Sequence, residues 1–302
     1  MNRVKTWVEV SSQALRHNVG EIKRLTTPAA IMAVVKSNSY GHGLLEVAHA
    51  VNEDVDAFGV DSIDEGMLLR QHDYQLPVVI LGYLRCDRVT EAVRHDLSFT
   101  VYDAVSVKHA ACAGSRLHPA RLHLKIETGL HRQGMHEDQL ASILRIIRRE
   151  RYVAVEGIST HYANVEDARD DSYAQKQLER FTRACTMTQS MGFEPRWRHT
   201  ACSAAAILYP ATHFNMIRLG IALYGLWPSQ TALVHARALG RRLALRPAMT
   251  WKTIVAQVKR VSRGTPVGYG LSEKLKRDSV IAVLPVGYAD GYDRGFSRQS
   301  EV

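Results

Sequence analysis

Short apolar runs recur at residues 30–35, 57–60, 78–81, 98–101, 122–126, 153–159, 197–200 and 215–219. Amphipathic stretches separate them, at residues 13–25, 63–72, 137–149 and 173–191 among others. The second of these opens with Ser62 and has Glu65 three residues on, the spacing of a capping box. Parallel strands need helical crossovers, so eight strand–helix repeats predict an α/β fold: a (β/α)8 TIM-type barrel. A chain of 302 residues with 46% hydrophobic content can bury such a barrel of about 250 residues and part of a second domain.

The texture changes after Pro228. Residues 249–261 and 280–286 read as strands with no helix of similar length between them, which predicts a smaller β-rich domain. The expected division is a barrel over 1–234 and a second domain over 235–302. Residues 6–10 form a candidate strand that would pair into the second domain.

Several classes are disfavoured. No apolar stretch approaches the ~20 residues of a membrane helix, and the amino terminus MNRVKTWVEV lacks the apolar core of a signal peptide, so a cytoplasmic protein is expected. Cys86, Cys112, Cys185 and Cys202 are far apart and show no zinc-ligand spacing, which predicts neither a disulfide framework nor a metal site. The formal charge of +9 could attract nucleic acid. Its densest cluster, Arg145 to Arg151, instead reads as the solvated face of a helix whose apolar side is Leu140, Ile143, Leu144 and Ile147.

The segment AVVKSNSYGHG, residues 33–43, carries the chemistry. It places Lys36 at the carboxyl end of the first predicted barrel strand, the end at which barrels hold their active sites. A lysine whose charged form is disfavoured by burial can condense with an aldehyde such as pyridoxal 5'-phosphate (PLP). The plainer reading is a solvated lysine at a strand end. The order of residues also resembles the PLP-attachment segment of the alanine racemase family, usually AVVKANAYGHG; only Ser37 and Ser39 depart from it.

That resemblance extends along the chain and implies a role for each matching residue. Lys36 would carry the cofactor and serve as one acid/base group. Tyr40, Ser203 and the backbone of Gly220 and Ile221 would hold its phosphate. Arg218, in MIRLGIALYGL, matches an arginine that faces the pyridine nitrogen. In HLKIETGLHRQG, Lys125 matches a lysine that is often carbamylated, and Arg132 matches an arginine that contacts the cofactor's phenolic oxygen and the substrate carboxylate. The family's usual KVDTGMGRLG is altered here at Ile126, Glu127, Leu130, His131 and Gln133, and His131 in place of glycine is the change expected to disturb the loop most. His161, in STHYA, would lie beside the cofactor ring, and Cys202 stands where asparagine is usual. Tyr269, in TPVGYGLS, would be the second acid/base group, acting in the other subunit of a head-to-tail homodimer. A phenol is a poor base at neutral pH unless its surroundings favour the anion. Tyr288, in PVGYADGYDRG, would lie by the substrate entrance.

The resemblance implies a PLP-dependent racemase acting on alanine, with serine or a broader range of amino acids as the alternative substrates. A barrel decarboxylase is disfavoured because those enzymes usually place a carboxylate where Arg218 stands. A PLP-binding barrel without turnover is the rival from another class. Family members continue beyond the position matching Val302, so the second domain is expected to be incomplete and the chain poorly active in this form.

Overall fold

The computed structural model describes residues 4–167 and 170–296. The chain divides into two compact units: Ser11–Ala248, and Met1–Val10 together with Met249–Val302. The boundary expected near residue 235 falls within a helix, Gln230–Ala238, that stays with the first unit.

The first unit is a closed parallel barrel of eight strands: β2 (Ala30–Val34), β3 (Ala57–Val60), β4 (Val78–Ile80), β5 (Ser98–Val101), β6 (Ala120–Lys125), β7 (Val153–Ser159), β8 (Trp197–His199) and β9 (Met216–Leu219). Neighbours in sequence are neighbours in the barrel, and β9 closes onto β2 with Met32 opposite Arg218. Helices cross over between strands because parallel neighbours need a long return path. In the helix Glu137–Arg148, Leu140, Ile143, Leu144 and Ile147 are buried while Arg145 and Arg148 are exposed. The helical spacing alone puts the basic cluster in water. The capping box also forms: Ser62 Oγ accepts from Glu65 N at 3.3 Å, and Glu65 Oε2 accepts from Ser62 N at 3.4 Å.

The barrel ladder breaks at one point that matters for the site. Leu122 on β6 faces Val155 and His123 faces Gly157, so Glu156 is an extra residue in β7, a β-bulge. A bulge re-aims the side chain it carries.

In the second unit, β1 (Thr6–Val10) pairs antiparallel with β10 (Met249–Thr253), and β11 (Gln257–Val261) with β14 (Ser279–Val283). β12 (Pro266–Val267) and β13 (Glu273–Lys274) form a short ribbon. The single strand expected over 249–261 is therefore two strands with different partners. Among the described residues no helix is long and apolar enough to cross a membrane.

Candidate active site

β2 ends at Val34, and Val35 leads into Lys36. The next four residues, Ser37, Asn38, Ser39 and Tyr40, all have φ between 52° and 55° and form a left-handed turn. Each such L-residue costs about 1–2 kcal/mol, so the turn persists only where its surroundings hold it. Ser39 N donates to Val35 O at 2.9 Å, Leu44 N to Asn38 Oδ1 at 2.9 Å, and Asn38 N to Glu65 Oε1 at 3.3 Å. Tyr224, which follows β9, donates its hydroxyl to Val34 O at 2.8 Å and packs its ring 4.4 Å from His42 and 5.0 Å from Tyr40. The departure at Ser39 is accommodated because its buried hydroxyl lies 3.4 Å from Val35 O.

The turn brings Lys36 to a cavity of about 470 Å³ within the barrel unit. Lys36, Tyr40, Lys125, Arg132, His161, Ser203, Arg218, Gly220 and Ile221 all line it, so every site residue expected in the barrel meets there. Cys202 and Glu166 also line it. Lys36 Nζ pairs with Asp61 Oδ1 at 3.0 Å. Asp61 follows β3 at the carboxyl end, where barrel chemistry concentrates, and its position at a strand end was the one sequence signal for it. Tyr269 and Tyr288 belong to the other unit, where both side chains are exposed, Tyr269 fully.

Three of the lining residues converge. Ser203 Oγ accepts from Gly220 N at 3.1 Å and from Ala222 N at 3.2 Å. A Cβ added at Gly220 would stand 3.3 Å from Tyr40 Oη and 3.9 Å from Ser203 Oγ. Gly220 thus keeps open a small space edged by two hydroxyls and backbone. Burial raises the Tyr40 pKa, which keeps its phenol an O–H donor at neutral pH. The donor set suits a phosphate, and its position after the eighth barrel strand is a frequent one for that group.

Arg218 is buried and, among the described residues, donates only to neutral acceptors: His199 Nδ1 at 2.9 Å, His199 O at 2.7 Å, Thr160 O at 2.9 Å, Thr200 O at 2.8 Å and His161 Nδ1 at 3.0 Å. Burial lowers its pKa to about 10, which leaves it a cation at neutral pH. The same burial, then the Arg218 charge, pushes His161, His199 and Lys125 well below their usual values. Arg132 adds to the effect on Lys125 and only Glu127 opposes it.

Arg132 sits on a loop closed at its base by Glu127 N to Met135 O at 2.9 Å and Met135 N to Lys125 O at 2.8 Å. His131 takes φ 56°, the conformation that glycine adopts without strain. Tyr173 Oη donates to Gly129 O at 2.8 Å, Arg180 Nη1 to Thr128 O at 2.8 Å, and the Glu127 carboxylate accepts from Gly129 N.

Fold and cavity define the class: a (β/α)8 barrel whose pocket, at the carboxyl ends of the strands, joins a lysine, a small space edged by two hydroxyls, and a buried arginine. Residues 10–228 match the model of the alanine racemase N-terminal domain, and residues 248–302 that of the alanine racemase C-terminal domain. The chain is 38% identical over 299 residues to the alanine racemase of Symbiobacterium thermophilum, covering 98% of this chain and 77% of that protein. It is also 38% identical over 302 residues to the alanine racemase of Carboxydothermus hydrogenoformans, covering 98% and 79%. Among solved structures, the alanine racemase of Clostridium difficile superposes with a TM-score of 0.88 at 31% identity, over 97% of this chain and 76% of that one. The alanine racemase from E. faecalis gives 0.86 at 33%, over 97% and 77%. The chain belongs to the alanine racemase family. It spans about three quarters of the length of these relatives.

Proposed function

We infer that the chain interconverts L- and D-alanine with pyridoxal 5'-phosphate as cofactor, using two protein groups that move a proton on opposite faces of the substrate α-carbon. The observation that carries this reading is the convergence of Lys36, the Tyr40–Ser203–Gly220 space and Arg218 on one cavity. Lys36 would hold the cofactor through its amine. Tyr40, Ser203 and the amides of Gly220 and Ile221 would hold the phosphate, and His161 would lie beside the ring. When bound, the cofactor supplies a conjugated ring that accepts the electron pair left at the α-carbon as the proton departs.

The protein's own part is positioning and proton transfer. Arg218 offers only N–H donors, so it would leave the ring nitrogen of a bound cofactor unprotonated. That favours return of the proton over competing chemistry at the same carbon. Arg132 would fix the substrate carboxylate through its planar fork of donors. Lys36 Nζ would take or give the proton on one face and the Tyr269 hydroxyl on the other, each acting as base in one direction and acid in the reverse. Tyr269 would come from a second copy in a head-to-tail homodimer, with Tyr288 by the substrate entrance. Lys125, whose pKa burial and the charges of Arg218 and Arg132 push well below the usual lysine value, would add CO2 at Nζ and release a proton, so that the resulting carbamate anion pairs with Arg132.

The test is incubation of the PLP-loaded protein with each alanine enantiomer, followed by chiral chromatography, with serine run in parallel. Borohydride reduction and peptide mapping should then place the cofactor on Lys36. Absence of interconversion, or label on another lysine, overturns the reading.

A further inference from the structure

A row of buried polar groups runs from Arg218 away from the cavity, and it has a direction. Arginine has no acceptor, so Arg218 Nη1 must donate to His199 Nδ1, 2.9 Å away. His199 is neutral, and its proton therefore sits on Nε2, where it donates to His123 Nδ1 at 2.8 Å. That leaves the His123 proton on Nε2. This nitrogen is fully enclosed, lacks a hydrogen-bonded partner among the described residues, and faces Glu156 Oε2 at 3.6 Å.

The backbone is shaped for this arrangement. Glu156 is the extra residue of the bulge in β7. Its neighbour Gly157 leaves room for a ring: a Cβ there would stand 2.3 Å from His123 Nδ1. Ser98 donates its hydroxyl to Glu156, and Arg121 lies near enough to favour the anion. Although burial alone would raise the Glu156 pKa, these neighbours and His123 hold it below the usual carboxylate range.

We propose that Glu156 is the remote counter-charge of Arg218, acting through His123 and His199, whose tautomers the arginine and the carboxylate fix from opposite ends. Among the described residues the guanidinium donates only to neutral acceptors, so the nearest route for a negative charge along its hydrogen bonds is this row. Glu156 is thereby a positioning residue: it keeps His199 a committed acceptor and Arg218 in a single orientation toward the cavity. The proposal deepens the function inferred above, and its structural part does not depend on turnover.

The experiment is long-range proton–nitrogen NMR on the full chain labelled with 15N-histidine. His199 and His123 are each expected to show a bare Nδ1 and a protonated Nε2. Glu156→Gln keeps the size and removes the charge. It should move the Nε2–H resonance of His123 and lower kcat about tenfold with little change in KM, an effect of the size seen when partners behind ligating histidines are removed. Glu156→Asp, which restores the charge, should recover most of the rate. A proton on Nδ1 of either ring in the unaltered protein, a second proton on either, or a Glu156→Gln protein with unmoved histidine resonances or unaltered kcat overturns the proposal. The NMR readings need no turnover, so a protein that racemises nothing refutes the proposed function and leaves the row to be judged on its tautomers.

Discussion

Replacing Gly220 with alanine asks whether the space between Tyr40 and Ser203 holds the cofactor phosphate. The added Cβ would lie 3.3 Å from Tyr40 Oη and 3.9 Å from Ser203 Oγ. Neither contact forces the barrel apart, because Tyr40 is 42% exposed and can swing outward. The folded protein should therefore lose at most about 1 kcal/mol, as a mild overpacking does. Binding should suffer far more. The methyl group takes space meant for an anion, and an outward swing withdraws the Tyr40 donor. Loss of one or two charge-assisted hydrogen bonds, each worth about 1.5–3 kcal/mol, makes a cost of roughly 2–4 kcal/mol reasonable. That corresponds to an apparent Kd for pyridoxal 5'-phosphate weaker by roughly 30- to 1000-fold. The assay is titration of cofactor-free protein followed by absorbance, with urea unfolding of the same sample as the stability control. An unchanged Kd in a normally stable protein would show that the phosphate sits elsewhere.

Tyr269→Phe should lower kcat by roughly 100- to 10,000-fold in both directions, the usual share of a general acid or base, while cofactor affinity stays the same; racemisation at the unaltered rate would remove Tyr269 from the mechanism. Native mass spectrometry in bicarbonate buffer should show the chain heavier by one CO2, with the addition abolished by Lys125→Ala; an addition that survives this substitution places the carbamate on another amine. Tyr224→Phe removes the hydroxyl that satisfies Val34 O at 2.8 Å and should cost about 1–3 kcal/mol in urea unfolding, since it leaves a buried carbonyl unpaired. A loss below about 0.5 kcal/mol would mean that the carbonyl finds another donor.

The parts of the site that lie in continuous segments were legible in the sequence. Lys36 and Tyr40 share one turn, and Arg218, Gly220 and Ile221 share one strand end, so the order of residues carried their relation. Glu156 and Tyr224 were not legible, and Asp61 only through its place at a strand end, because each acts on a residue brought near only by the fold. Asp61 meets Lys36 across adjacent strands, and Tyr224 reaches Val34 across the closure of the barrel. Glu156 points as it does because β7 carries one residue more than β6 opposite it, and no local pattern announces a bulge. The break at 254–256 was hidden for a similar reason. Both halves of 249–261 keep strand character, and the difference lies in their partners, β1 for one and β14 for the other.

The turn after β2 shows how the barrel invests stability in the position of Lys36. Four consecutive left-handed residues, at about 1–2 kcal/mol each, cost an amount comparable to the net stability of many domains. An ordinary right-handed continuation would avoid that cost. The turn must then be over-determined, and its holders come from three directions: Glu65 from the helix after β3, Tyr224 from beyond β9, and Asn38 from within the turn itself. Each is tied to a rigid element, so Lys36 inherits a fixed origin although its own side chain is half-exposed. In the function inferred for it, Lys36 would release a ligand and then act on a proton, a task that calls for a long side chain on a fixed base. The left-handed turn supplies the base, and the chain end, paired with Asp61 Oδ1 at 3.0 Å, reaches the cavity.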